Sequence, residues 1–299
     1  MTIPASESLD ALQAARRELL GFEPPPVALA TRDEGGWRLT AASVRGPSHI
    51  KSDTPRQDAF AHAITGSTVV ACVADGLGSQ ARSHIGSKLA AERVAADVAA
   101  IAGGLDETAL AKALAEAGSG ELGDAVRGAV CQAVRETERL MEMEPGPGFA
   151  TTLVGVVAHP LGGFFFHVGD GVGLAFAAEP FAEAEGGDPQ GPVVSPAENG
   201  EFDNITFAIG SDPNDPHLRF TSFTAGKLIV LMTDGPMAFT LGKDQASLAG
   251  GLFKPLSAHL WTEVGRVHGG QMLANVLNDP RAGEISDDDK TLLLLRLDD

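Results

Sequence analysis

Tyrosine is absent from this chain of 299 residues, tryptophan and cysteine occur twice each, and Lys and Arg total 22 against 40 Asp and Glu. Each shortage excludes something. A formal charge of −18 removes the basic surface on which nucleic-acid and anionic-membrane binding rest. Cys72 and Cys131 lack the spacing of zinc ligands and sit within apolar or helical patterns, so buried thiols of a reducing compartment are expected. No run approaches the roughly 18 apolar residues of a membrane span. The N-terminus has no charged start followed by an apolar stretch, as a signal peptide would. The expectation is a cytoplasmic protein, and its 43% hydrophobic content supports a core without disulfide or zinc staples.

What the chain does have is carboxylates at the ends of apolar runs. Thr68 to Ala74 is followed by Asp75-Gly76, Gly163 to Val168 closely by Asp170-Gly171, and Lys227 to Thr233 by Asp234-Gly235. The acidic triplet Asp287-Asp288-Asp289 stands just before Thr291 to Leu297, and Asp58 opens the apolar stretch from Ala59. Strand-end acids gather at one rim of a sheet, where they repel one another unless protons or cations intervene. Hard divalent cations with oxygen ligands are the usual remedy, so a magnesium or manganese cluster is expected.

Asp-Gly is also the strongest short hairpin signal. At Asp170-Gly171 that reading competes on equal terms, because Val172 to Ala177 could form a second strand. After Asp75-Gly76 comes a flexible stretch leading into a helix, and after Asp234-Gly235 a proline, so hairpin turns explain those two pairs poorly.

Residues 1–36 stand apart as an arm, with an amphipathic helix over Ser8 to Leu20 and a linker marked by Pro24-Pro25-Pro26 and Gly35-Gly36. From Trp37 the pattern predicts strands over 37–44, 59–64 and 68–74, then helices over 83–102, 107–117 and 121–143. Strands return over 150–159, 163–168 and 172–177, and later over 205–209, 218–223, 228–232 and 291–297. Residues 178–200 are predicted as an exposed loop, and helices over 257–267 and 271–278. Strands in runs with helices grouped between them indicate an α+β layered fold with antiparallel sheets.

Five blocks then carry a family resemblance: Gly46 to Phe60, Val73-Ala-Asp-Gly-Leu-Gly-Ser79, Gly148-Phe-Ala-Thr-Thr-Leu153, His167-Val-Gly-Asp-Gly171 with Thr233-Asp-Gly235, and Asp288-Asp-Lys-Thr-Leu292. In this order they resemble the metal-dependent serine/threonine protein phosphatases of type 2C, over about Trp37 to Leu297. The resemblance implies a four-layer sandwich of two antiparallel sheets flanked by helix pairs, with residues 37–299 as the catalytic domain. It implies that Asp75 bridges two Mn2+ or Mg2+ ions and that Gly76 offers its carbonyl oxygen. Asp234 and Asp288 match the other direct ligands of the first ion, Gln57 and Asp58 the pair steadying the second ion's waters, and Asp170 a third, weaker ion in bacterial members. A water shared by two ions would attack phosphorus directly, with no phosphoenzyme. Phosphoprotein substrates follow from the same resemblance; abundant alanine and an excess of Arg over Lys suggest a bacterial source, in which a partner Ser/Thr kinase is expected.

The chain departs from the family at several positions. Leu77 stands where some relatives have His after Asp-Gly, Gln57 where many have Glu, and Asp289 where Asn is frequent. The phosphate-binding arginine has no clear counterpart. Its position falls near His49, for which a merely packed histidine is the competing reading, and Arg56 is the second candidate for reaching substrate. A pseudophosphatase using the fold as a docking module is the alternative, and retention of Asp75, Asp234 and Asp288 argues against it.

Overall fold

The apolar runs of this sequence are nearly continuous because their strands are buried on both faces. In the strand Thr68–Ala74 every residue is buried. Val69, Ala71 and Val73 point into a core shared with a second sheet, while Val70, Cys72 and Ala74 pack beneath helices. The same alternation sends Phe165 inward and Phe164 and Phe166 outward, and it splits Leu293 and Leu295 from Leu292 and Leu294. A two-residue period under an unbroken apolar surface therefore yields a layered sandwich.

The structure, a computed structural model, describes residues 9–146, 148–181, 191–198 and 206–298. In chain order the strands are β1 (Val27–Glu34), β2 (Trp37–Val44), β3 (Ala59–Thr65), β4 (Thr68–Ala74), β5 (Leu153–His159) and β6 (Gly162–Val168). They continue as β7 (Val172–Phe176), β8 (Val193–Ser195), β9 (Arg219–Phe223), β10 (Leu228–Met232) and β11 (Lys290–Leu297). One antiparallel sheet runs β1-β2-β11-β10-β7-β8 and the other β3-β4-β5-β6-β9. The helices are α1 (Leu9–Leu20), α2 (Pro47–Ser52), α3 (Ser83–Gly104), α4 (Glu107–Glu116), α5 (Glu121–Met143), α6 (Met237–Thr240), α7 (Gly250–Leu260), α8 (Glu263–Leu277) and α9 (Pro280–Ile285). Val94, Val98, Val126 and Val130 of α3 and α5 cover the five-stranded sheet. Leu256, Leu260, Leu273 and Leu277 of α7 and α8 cover the six-stranded one. The α+β sandwich of two antiparallel sheets is as expected.

Several local expectations need correction. Residues 27–34, read as linker, form β1, which pairs with β2 from Val27↔Val44 to Glu34↔Trp37. Gly35 and Gly36, at φ of 62° and 82°, make the turn between them, a two-residue connection that needs positive φ twice. β1 is an edge strand and mostly exposed, so it carries little of the apolar signal by which buried strands are found. Helix α7 starts at Gly250, earlier than expected, and α8 follows after Trp261-Thr262 with the Thr262 side chain accepting from Gly265 N. Of the strand expected over 205–209, Ile205 lies outside the described residues, and 207–210 run without strand structure. Part of the loop expected over 178–200 also lies outside them, and Val193–Ser195 within it is a short edge strand. Cys72 and Cys131 are free and buried. Among the described residues no helix is long and apolar enough to cross a membrane.

Candidate metal centre

The two sheets bring their acidic ends to one rim. In the five-stranded sheet Ala59 pairs with Ala74, which sets Asp58 beside Asp75. In the six-stranded sheet Met232 pairs with both Val172 and Leu292, so Asp170, Asp234 and Asp288 flank one register line. Asp170-Gly171 is no hairpin, because β6 and β7 belong to different sheets. That connection carries the chain across the sandwich and leaves Asp170 between the layers' ends. The hairpin reading at this pair is thereby removed.

Close backbone approach makes the rim compact. A Cβ on Gly46 would lie 2.2 Å from the Asp288 carbonyl carbon, and one on Gly235 would lie 1.8 Å from the Asp289 carbonyl oxygen. The Asp-Gly spacing thus serves packing as well as chain direction. Gly76 forms a bridge with Thr151, whose hydroxyl donates to the Asp75 carbonyl at 2.8 Å, while Asp75 N lies 3.0 Å from Thr152 Oγ1.

Asp58 is 2% exposed, and its Oδ2 accepts from the hydroxyls of Thr233 at 2.8 Å and Thr291 at 2.7 Å. Burial, then the Asp289 charge, push its carboxyl up to about 8 against those two hydrogen bonds. Asp75 is driven well above the carboxylate range by burial and by Asp58, Asp234, Asp288 and Asp170. Asp234 is raised to about 6 by burial, Asp170 and Asp288, with a hydrogen bond from Asp75 acting the other way. Asp288 is raised as well, chiefly by burial. Burial and mutual repulsion thus oppose charge on all four carboxyls, a strain that cations or protons relieve.

The donor set fits hard divalent ions. Its members are carboxylate and carbonyl oxygens, and Asp170 Oδ1 and Gln57 Oε1 are buried without a hydrogen-bond partner in the described structure. His49, Asp288 and Asp289 also offer ligand atoms within 4.8 Å of one another. Asp289, however, is committed elsewhere. Its Oδ1 accepts from Gly46 N at 2.6 Å and its Oδ2 from Gln57 N at 2.5 Å, and His49 Nδ1 lies 2.9 Å from Oδ1. Burial works to raise the Asp289 pKa, but His49 and the two amides outweigh it and hold it below the usual range. Asp289 is a structural anion that ties α2 and the Gln57–Asp58 segment to β11.

Sequence reasoning missed Asp289, although the acidic triplet marked the place. It also missed Thr233 and Thr291, which hold Asp58, and Lys290, a buried cation whose Nζ donates to the Asp288 carbonyl at 2.7 Å. His49 lies at the rim, half-buried beside Asp288 and Asp289, and its pKa is raised first by the Asp289 contact. Arg56 is 5% exposed, and its Nε donates to the Pro25 carbonyl at 3.2 Å, so it faces the N-terminal segment.

Comparison with known proteins decides the family. Residues 45–278 match the family model for protein phosphatase 2C. The chain belongs to the protein phosphatase 2C family. Asp58, Asp75, Asp170 and Asp234 fall inside the match and Asp288 beyond its end. Serine/threonine-protein phosphatase 3 of Escherichia coli is 28% identical over 273 residues, covering 86% of this chain and 97% of that protein. The fold is shared with the Mycobacterium tuberculosis serine/threonine phosphatase, at a TM-score of 0.55 and 18% identity over 88% of this chain and 99% of that one. It is also shared with serine-threonine phosphatase 2C of Toxoplasma gondii, at a TM-score of 0.55 and 12% identity over 91% of this chain and 99% of that one.

Proposed function

We propose that this protein phosphatase 2C member hydrolyses phosphoserine and phosphothreonine in protein substrates at the acidic rim, with Mg2+ or Mn2+ as cofactor. One observation carries this reading: Asp58, Asp75, Asp170, Asp234 and Asp288 converge from both sheets on one rim, where the other four all bear on Asp75. Asp75, Asp234, Asp288 and the Gly76 carbonyl would hold the principal ions, Gln57 and Asp58 would steady the second, and Asp170 would serve a further one. Such ions supply Lewis acidity and lower the pKa of coordinated water.

The chain's own residues prepare that site. Thr233 and Thr291 fix the Asp58 carboxylate, and Asp289 holds Gly46 and Gln57 by their backbone amides. Leu77 offers no proton to a leaving group, so that role falls outside the Asp-Gly loop. Of the two candidates for substrate phosphate, His49 is the better supported, since it is partly exposed beside the carboxylates whereas Arg56 is buried against Pro25. A cytoplasmic setting and an opposing Ser/Thr kinase belong to the same proposal. The test is calorimetric titration of the metal-free protein with Mn2+, for wild type and Asp75→Asn. Binding that the variant loses supports the assignment, and equal binding by both would remove Asp75 from the centre.

A further inference from the structure

The segment from Leu9 to Pro26 gives no carboxylate to the rim, yet it reaches three of the stretches that build it. Leu19 and Leu20 of α1 pack on Ile85, Leu140 and Phe149 of the α3–α5 side. Arg16 grips Glu136 through two bonds, at 2.5 and 3.1 Å, across 120 positions of sequence. The Lys88 ammonium stands 4.9 Å from the centre of the Phe22 ring.

Beyond α1, backbone carbonyls take over. Phe22 O lies 3.1 Å from His84 Nε2, Pro25 O accepts from Arg56 Nε at 3.2 Å, and Pro26 O accepts from Arg45 N at 2.8 Å. Every partner adjoins a residue of the site or one packed against it. Arg45 precedes Gly46, which donates to Asp289, and Arg56 precedes Gln57-Asp58. His84 follows Ser83, against which Gly76 packs so tightly that a Cβ would meet the Ser83 carbonyl carbon at 2.7 Å.

We propose that this N-terminal arm is a positioning element of the metal centre, acting through Arg45, Arg56 and His84. The inference rests on the metal-dependent reading above. Its physical core is Arg56. A buried guanidinium without an acceptor is costly, and Nε is satisfied by Pro25 while Nη1 is buried with no hydrogen-bond partner among the described residues. Asp58 and Asp289 are the carboxylates whose charge acts on it. With the arm in place Arg56 is held toward Pro25; with the arm released it turns to those carboxylates and competes with the cations for Asp58.

The arm lies on the outside of the core. From Asp10 to Pro26 no residue is fully buried, and a cavity of about 390 Å³ remains between α1 and α3, lined by Arg16, Leu19, Phe22, Lys88, Leu89 and Glu136. Point changes in the full chain therefore test the idea. Arg16→Glu combined with Leu20→Asp breaks the ion pair and the apolar seat of α1, and Arg16→Glu with Glu136→Arg restores the ion pair in reverse. Hydrogen exchange over residues 9–22 and at the Arg45 amide, which donates to Pro26 O, reads arm release, thermal melting reads the fold, and calorimetry with Mn2+ reads the centre. The releasing variant is expected to lose arm protection, melt cooperatively and bind Mn2+ about tenfold more weakly, as changes behind metal ligands do. The reversed pair is expected to recover wild-type binding. Unchanged Mn2+ affinity with the arm released would overturn the inference alone. Absence of Mn2+ binding by wild type would overturn the metal reading and the inference together.

Discussion

Replacing Asp58 by Asn should make the metal-free protein more stable at neutral pH while weakening its hold on cations. The carboxyl is buried and raised to about 8 in the folded chain, against about 3.9 for an unfolded aspartate. Below pH 4 both states carry the proton. Between about pH 4 and 8 the folded state binds it and the unfolded state does not, so stability falls as pH rises. One such group contributes a slope of about 1.4 kcal/mol per pH unit, hence about 4 kcal/mol between pH 5 and 8. The Asn amide oxygen can still accept from Thr233 and Thr291, so the change removes charge and keeps those contacts. Urea denaturation in EDTA at pH 5, 6, 7 and 8, for wild type and Asp58→Asn, measures the difference between two slopes. That difference is the informative quantity, because His62, His84 and His167, kept low chiefly by burial, act in the opposite direction over the acid half of the range. Parallel profiles, or a variant less stable than wild type at pH 8, would refute the account of Asp58.

Other consequences can be checked one by one. Asp289→Ala strands the buried Gly46 and Gln57 amides, and at about 1.5–3 kcal/mol for each charged hydrogen bond it should lower the melting temperature and weaken Mn2+ binding together. Gly235→Ala places a Cβ 1.8 Å from the Asp289 carbonyl oxygen; the strand end must shift, and a loss of about 1–3 kcal/mol in denaturation is expected. Asp170→Ala removes a carboxylate held by Thr206 at 2.6 Å. It should reduce the number of Mn2+ ions bound in calorimetry while leaving the tightest site occupied.

Much of the fold and of the rim was legible for physical reasons. Strands buried on both faces, such as β4, β6 and β11, declare themselves as apolar runs, and a rim that must gather carboxylates places them just outside those runs. β1 was hidden because an edge strand with one polar face resembles a linker. The α7–α8 break was misplaced because Trp261-Thr262 lacks Gly or Pro, and the Thr262 cap shows only in three dimensions. Asp289 illustrates a deeper limit. Adjacent acids in one triplet have opposite tasks, and only the amides of Gly46 and Gln57, more than two hundred positions away, distinguish the anchor from the ligand. Arg56 is a similar case. Its place beside Gln57-Asp58 suggested contact with substrate, while its partner, Pro25, belongs to a segment that had been set apart.

Carboxylates gathered from two sheets would make this protein phosphatase 2C member metal-dependent. Phosphate release from a phosphothreonine peptide, with Mn2+ and with EDTA, for wild type and Asp234→Asn, tests it most directly. Manganese-dependent release by wild type that disappears in Asp234→Asn is the predicted result. Release that persists in EDTA, or that survives the loss of Asp234, would contradict it.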